Sequence, residues 1–239
     1  MWVYDICVSR VGFGPPLNNI NTIYSLSFTE RHFYYIVMKK VIMLDAGHGK
    51  DTPGKRSPDS SLMEWEYNRE IAKRVQKILL SYGIDTRLVV EDDRDMPLKQ
   101  RYLKVNKVCD KYGAGNVIMV SIHCNAGSNG KWTNARGWSV WTTVGQTNSD
   151  KLADELFAAA QSYLPQRGMT LRKETYNDGD VDYEKNFTVI YGAKCPAVLT
   201  ENLFMDNKVD CAWLLSEDGK ETITNIHVDG ILKYMEKYW

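Results

Sequence analysis

Apolar and polar residues alternate along most of the chain with the periods of strands and helices. Residues 41–44 are apolar and lead into Asp45 and a turn of small residues, which is typical of a buried strand that ends in a tight loop. A helical period follows, with Ser60 or Ser61 as the expected N-cap and Gly83 as the expected end. The folded part of the chain is therefore predicted to begin with a strand, a loop and a helix.

The same periods continue to the C-terminus. Strands are predicted at residues 84–90, 117–121, 137–143, 187–191 and 196–202, and helices at residues 98–112, 149–164, 206–215 and 217–238. Residues 166–186 have mixed charge and no period, and are predicted to form a long surface loop. Strands that alternate with helices predict an α/β fold, a three-layer sandwich with a mostly parallel mixed sheet covered by helices on both faces.

Residues 1–37 differ from the rest. Glycines and prolines at positions 12–16 interrupt the segment, and no sustained period of either kind emerges. We predict that residues 1–37 form an N-terminal extension outside the core, and that residues 38–239 form one folded domain. The alternative is an arm that packs on that domain.

Composition narrows the class of protein. The chain has 239 residues, of which 44% are apolar and 25% charged, so it can bury the core of one globular domain. Thirty basic residues balance thirty acidic ones, so the chain has no net positive charge that would attract nucleic acid or an anionic membrane. Five irregularly spaced cysteines indicate reduced thiols, and no apolar run approaches the ~18 residues of a membrane span. We expect a monomer made in the cytoplasm without a recognisable signal peptide.

Side chains that can bind a metal ion or transfer a proton lie at the ends of three of the predicted strands. His48 comes after the first strand, His123 after the strand at 117–121, and Glu201 ends the last one. Ligands of open α/β sheets bind at the carboxyl ends of the strands, so these side chains are expected at one edge. Glu64 lies on the apolar stripe of the first helix, where its carboxylate needs either a metal ion or the helix dipole as its partner. Two imidazoles and one carboxylate are the ligands of a catalytic zinc site, and a further carboxylate can serve as general base.

Several separated motifs resemble one family. They are DAGHG at 45–49, Glu64 with Asn68 behind it, SIHCNA at 121–126 and CPAVLTENLF at 195–204. Together they resemble the zinc-dependent N-acetylmuramoyl-L-alanine amidases over residues 40–239. The resemblance implies that His48, Glu64 and His123 bind Zn²⁺ and that Glu201 is the catalytic glutamate. It also implies hydrolysis of the amide between N-acetylmuramic acid and the L-alanine of the stem peptide in bacterial peptidoglycan.

Some residues depart from the family pattern. Ala46 and Lys50 stand where the family often has Pro and Gly, and these changes concern substrate detail rather than the metal. Asn125 and Trp132 are expected to contact the substrate, the tryptophan by stacking on a sugar face. Wall-binding repeats are not recognisable, so a phage or prophage lysin released by another protein is one interpretation.

Two other functions remain open. A zinc peptidase of carboxypeptidase type also uses two histidines and a glutamate, but it needs an arginine for the substrate carboxylate, and the sequence cannot place Arg101, Arg136 or Arg172 in the site. A non-catalytic cell-wall-binding module is disfavoured, because both histidines and both glutamates are retained. Of the remaining histidines, His32 is expected to be structural or irrelevant, and His227 to be a partly buried or surface histidine rather than a ligand.

Overall fold

The computed structural model describes residues 40–173 and 179–239. The predicted extension at residues 1–37, with His32, lies outside the described residues, so its relation to the domain stays a prediction. Within the described ranges, no helix has both the length and the apolar character needed to cross a membrane.

A six-stranded mixed sheet forms the centre of the protein, in the order β2-β1-β3-β6-β4-β5. Strands β1, β2, β3 and β6 run parallel, β4 is antiparallel to β6, and β5 is parallel to β4. The strands are β1 (Val41–Ala46), β2 (Asp85–Leu88), β3 (Val117–Asn125), β4 (Ser139–Thr142), β5 (Tyr183–Glu184) and β6 (Ala197–Phe204). This arrangement confirms the predicted α/β fold with a mostly parallel mixed sheet.

Helices cover both faces of the sheet. The helices are α1 (Glu64–Ser81), α2 (Leu98–Tyr112), α3 (Asn148–Tyr163), α4 (Thr188–Tyr191), α5 (Lys208–Leu215) and α6 (Glu217–Tyr238). On one face α1, α3 and α6 bury residues such as Ile71, Leu156 and Ile226 in the larger core. On the other face α2 and α4 bury Val105 and Ile190 in the smaller core. Both cores lie against the central strands, which are apolar on both faces for this reason.

The predicted strand at residues 187–191 is wrong, because this segment is the short helix α4. The N–H of Tyr191 donates to the carbonyl of Phe187, and the N–H of Gly192 donates to that of Thr188, as in a helical turn. Val189 and Ile190 are consecutive and both buried, which a helix allows and a half-exposed strand does not. A short apolar run does not by itself distinguish the two.

Two loop predictions also change. Neither Ser60 nor Ser61 caps α1, which begins at Glu64 after Met63 without a side-chain cap. Ser61 instead closes a local turn by donating to Asp59, and the N–H of Glu64 donates to the carbonyl of Lys55. The predicted loop at residues 166–186 contains the short strand β5, which pairs with β4.

Candidate active site

The loop after β1 carries His48 in an unusual conformation. His48 has a φ of 62°, which is uncommon for a residue other than glycine. Arg69 of α1 donates to the carbonyls of Ala46 at 2.7 Å and of His48 at 2.8 Å, and Arg101 of α2 donates to the same two carbonyls at 2.7 and 3.1 Å. The two guanidinium groups therefore hold the backbone that orients the His48 side chain.

Arg101 is itself fixed by a buried ion pair. Its Nη1 lies 2.9 Å from Asp45, and both side chains are 1% exposed. The hydroxyl of Ser121 in β3 donates to the other Asp45 oxygen at 2.6 Å. Since a buried charge is tolerated only when it is paired and hydrogen-bonded, this network makes the end of β1 rigid.

Glu64 begins α1 and points into the protein. Its side chain is 1% exposed, and its Oε1 accepts a hydrogen bond from the N–H of Cys124 at 3.1 Å. The sequence predicted this inward direction from the apolar stripe of the helix. Cys124 is buried, and its thiol lies 3.8 Å from the side-chain oxygen of Asn68.

His48, Glu64 and His123 come together at the carboxyl edge of the sheet. The Glu64 Oε1 lies 3.4 Å from His48 Nε2 and 3.3 Å from His123 Nδ1. The two rings stand edge to face with centroids 5.0 Å apart, and the three ligand atoms all lie within 4.8 Å of one another. Gly47 permits this packing, because a Cβ at position 47 would collide with the His123 ring.

Burial and charge set the protonation of the two imidazoles. Burial lowers the pKa of His48 to about 4, and the nearby Glu64 carboxylate only partly opposes this effect. Burial also disfavours the charged form of His123, but the hydrogen bond and negative charge of Glu64 outweigh it and raise the pKa. His48 is thus neutral at pH 7, as a metal ligand must be.

The three side chains fit a divalent metal ion. The Oε2 of Glu64 is buried and has no hydrogen-bond partner among the described residues. A buried carboxylate oxygen without a partner costs free energy, which a bound cation would recover. Two imidazole nitrogens and one carboxylate oxygen are also the donor set of catalytic zinc sites.

Glu201 lies beside this cluster on the next strand. It is the residue of β6 opposite His123 in β3, and opposite Ser139 in β4. Burial raises the pKa of its carboxyl group to about 7, and the positive charges of His123, Lys55 and Arg172 only partly oppose the increase. Its Oε2 has no hydrogen-bond partner among the described residues. A carboxyl group with this pKa can both accept and donate a proton near neutral pH.

Asn125 and Trp132, the two expected substrate contacts, lie in and after the end of β3. The Asn125 side chain accepts from the N–H of Ala126 at 2.8 Å, and Trp132 packs in part against the larger core with Lys208 5.9 Å above its ring. A contact of either residue with substrate stays a prediction.

Three basic residues near the site were not assigned from the sequence. Arg101 could have been recognised, because it lies on the buried stripe of α2 with Val105 and Cys109, four and eight residues later. Lys55 and Arg172 lie on irregular segments, where no period indicates direction. Their charges act on Glu201 only because the fold brings these segments to the same edge.

Known proteins share this sequence and this fold. Residues 42–233 match the family model described as N-acetylmuramoyl-L-alanine amidase. The endolysin of Bacillus phage SPP1 is 29% identical over 202 residues, which are 83% of this chain and 67% of the endolysin. The probable cell wall amidase LytH of Staphylococcus aureus is 27% identical over 196 residues, which are 82% of this chain and 58% of LytH. The chain thus spans less than two thirds of the length of LytH.

A solved structure agrees with both comparisons. The catalytic domain of CwlV, an N-acetylmuramoyl-L-alanine amidase from Bacillus (Paenibacillus) polymyxa, superposes with a TM-score of 0.67 at 28% identity. The match covers 82% of this chain and 98% of that domain. The chain belongs to the N-acetylmuramoyl-L-alanine amidase family.

Proposed function

We propose that this protein is a zinc-dependent amidase that hydrolyses the bond between N-acetylmuramic acid and L-alanine in bacterial peptidoglycan. The main support is the convergence of His48, Glu64 and His123 within 4.8 Å, with Glu201 opposite His123 in the sheet. Family membership supports the amide bond as the target. The names of the relatives, an endolysin and a cell wall amidase, support action on the cell wall.

In this proposal His48, Glu64 and His123 hold the Zn²⁺. The ion would polarise the scissile carbonyl and lower the pKa of water, so no serine or cysteine nucleophile is needed. Glu64 also pairs electrostatically with both imidazoles, and its helix and loop fix its position. Arg69 and Arg101 keep the His48 backbone in its positive-φ conformation.

Glu201 moves the protons of the reaction. As a carboxylate it takes a proton from the attacking water, and as an acid it delivers that proton to the nitrogen of the departing L-alanine. The pKa of about 7 that burial gives this group suits both steps at neutral pH. The leaving amine must therefore lie within hydrogen-bond reach of Glu201.

The two alternatives have less support. Arg101 and Arg136 are paired with Asp45 and Asp210, so of the three arginines considered for a carboxypeptidase only Arg172 could bind a substrate carboxylate. The family match favours an amidase over that peptidase and over a non-catalytic wall-binding module. Monomeric action and release as a phage or prophage lysin stay predictions.

Mass analysis of purified peptidoglycan fragments tests the bond. Incubation with the zinc-loaded protein should release stem peptides that begin with a free L-alanine amine. Fragments cut within the peptide or within the glycan would contradict the proposal.

Paired variants test the roles of the site residues. His123→Ala should lose zinc and activity together, whereas Glu201→Gln should keep near-stoichiometric zinc and lose about 10²–10⁴-fold in turnover. Zinc content and turnover are measured on the same preparations. Unchanged turnover in Glu201→Gln would remove Glu201 from the mechanism.

A further inference from the structure

Arg172 occupies a defined position at the edge of the sheet that carries the site. Its N–H donates to the carbonyl of Trp138 at 2.7 Å, directly before β4 begins. Its guanidinium carbon lies 5.5 Å from the centroid of Tyr183 in β5 and 5.3 Å from that of Phe204 in β6. Contacts with two aromatic rings restrict the side chain, and they leave the N–H groups in the plane of the guanidinium available for a ligand.

No carboxylate among the described residues forms an ion pair with Arg172. The other two arginines considered for the site differ, since Arg101 is paired with Asp45 at 2.9 Å and Arg136 with Asp210 at 2.7 Å. Arg172 is half-buried, so its charge is partly removed from water. This environment strengthens the attraction for an anion supplied by a ligand.

The order of the strands indicates in which direction a bound peptide would run along the edge of the sheet. Along the edge, His48 follows β1, His123 lies in β3, Glu201 lies in β6, and Arg172 lies beside β4 and β5. Because Glu201 protonates the departing amine, the peptide side of the scissile bond must lie near Glu201. A peptide that continues away from the metal ligands along this edge passes Arg172.

The stem peptide has an acidic group close to the scissile bond. Its second residue is a γ-linked D-glutamyl residue, whose α-carboxyl group is either free or amidated. An extended chain spans at most about 3.3–3.6 Å per residue, so this carboxyl group lies within about 7 Å of the scissile nitrogen. The planar guanidinium of arginine binds a carboxylate through two parallel hydrogen bonds.

We propose that Arg172, with Tyr183 and Phe204 as its supports, binds the free α-carboxylate of the second stem-peptide residue. The inference rests on the proposed amidase function and adds a substrate preference to it. The protein then discriminates in favour of peptidoglycan in which this carboxylate is not amidated.

Two muramoyl tripeptides that differ only in this group, free acid or amide, test the proposal. The wild type should have the lower KM for the free acid. Arg172→Met should raise KM for the free acid about tenfold or more, the range for a hydrogen bond to a charged group, and any change in kcat from the lost charge near Glu201 should be equal for the two substrates. KM for the amide should not change, and Arg172→Lys should retain part of the preference because it keeps the charge.

Arg167→Met is the matched control, since Arg167 is paired with Asp218 on the surface and should affect neither substrate. An equal loss on both substrates would show that Arg172 acts through Glu201 rather than through the carboxylate, and would overturn the proposal. Equal KM values of the wild type for the two substrates would overturn it as well.

Calorimetry separates this inference from the proposed function. Zinc-loaded Glu201→Gln protein should bind the free-acid tripeptide more tightly than the amide, and the added Arg172→Met change should abolish the difference. Equal binding of the two peptides would overturn the inference whether or not the wild type cleaves them. If the protein bound the free acid more tightly than the amide but the wild type released no stem peptide, the amidase function would be contradicted and this inference would stand.

Discussion

At the scale of single residues, small and charged side chains determine the geometry around the imidazoles. Gly47 leaves room for the His123 ring, and the Arg69 and Arg101 guanidinium groups hold the carbonyl of His48. None of the three is a proposed ligand. The positions of the proposed ligands therefore depend on residues whose own role is steric or electrostatic support.

Replacement of Gly47 by Ala should displace His123. The new Cβ would overlap the imidazole, so the ring must move away from Glu64. We expect the affinity for zinc to fall about 10–100-fold, the usual effect of disturbing the support of a metal ligand. A competition titration with a chelating dye measures it. Gly115→Ala, where a Cβ meets nothing within 4 Å, is the control, and equal affinities of the two variants would contradict the steric argument.

His227 is a second residue whose surroundings determine its charge. It is fully buried in α6, where it contacts the carbonyl of Ile223 at 2.7 Å and the hydroxyl of Thr200 at 2.9 Å. Burial lowers its pKa to about 4, so the folded protein contains the neutral ring. His227 is therefore buried more deeply than the sequence predicted, and its ring contacts protein groups away from the His48 cluster.

Acid should destabilise the protein through His227. Its pKa is lower in the folded state than the ordinary value of 6.5, so the stabilisation is complete above pH 6.5 and is lost as pH falls toward 4. Between pH 7.5 and 5 the wild type should lose about 2 kcal/mol of unfolding free energy relative to His227→Gln. Urea unfolding of both zinc-free proteins measures this, and His48 cancels in the comparison. A constant difference between them would contradict the assignment.

At the scale of elements, the end of β6 and the loop after β3 are joined by one carboxylate. Asp206 is buried and accepts from the N–H of Gly127 at 2.9 Å and of Ser128 at 2.8 Å. Its own carbonyl accepts from the N–H of Thr133 at 2.8 Å. The loop with Trp132 is therefore attached to the strand that carries Glu201.

Asp206→Ala should release this loop. Two partly buried N–H donors lose their charged acceptor, which should cost about 2 kcal/mol of unfolding free energy. Hydrogen exchange should increase at residues 126–133 before it increases in the sheet. Asp110→Ala is the control, because Asp110 forms an exposed surface ion pair with Lys194, and it should cost less than about 0.5 kcal/mol. Unchanged exchange in the loop would show that other contacts hold it.

At the scale of the whole molecule, two cores lie on opposite faces of one sheet. The larger contains residues of α1, α3 and α6, and the smaller contains residues of α2 and α4. The family match covers residues 42–233. The domain boundary at residue 38 stays a prediction.

A chain that starts at Met38 should fold and keep its activity. The sequence changes in period and composition at this point, and the family match begins at residue 42. Thermal unfolding of this shortened chain should remain cooperative, with a melting temperature close to that of the full chain, and turnover on peptidoglycan should persist. Loss of the cooperative transition would mean that residues 1–37 pack on the domain.

The sequence alone determined the order of most elements and the edge at which the chemistry lies. Apolar runs predicted β1, β3 and β6, and parallel strands place their carboxyl ends together, so the meeting of His48, His123 and Glu201 followed from topology. The helical period predicted the inward direction of Glu64. These features are local, because each depends on a short run of neighbouring residues.

Only the tertiary structure decided the features that depend on residues far apart in the chain. The short run at residues 187–191 became a helix through its packing against α2, and the cap of α1 came from the backbone of its own loop. The placement of Arg172 between Tyr183 and Phe204 depends on three separate segments. No local period encodes such contacts, because their free energy arises only when the sheet has brought the segments together.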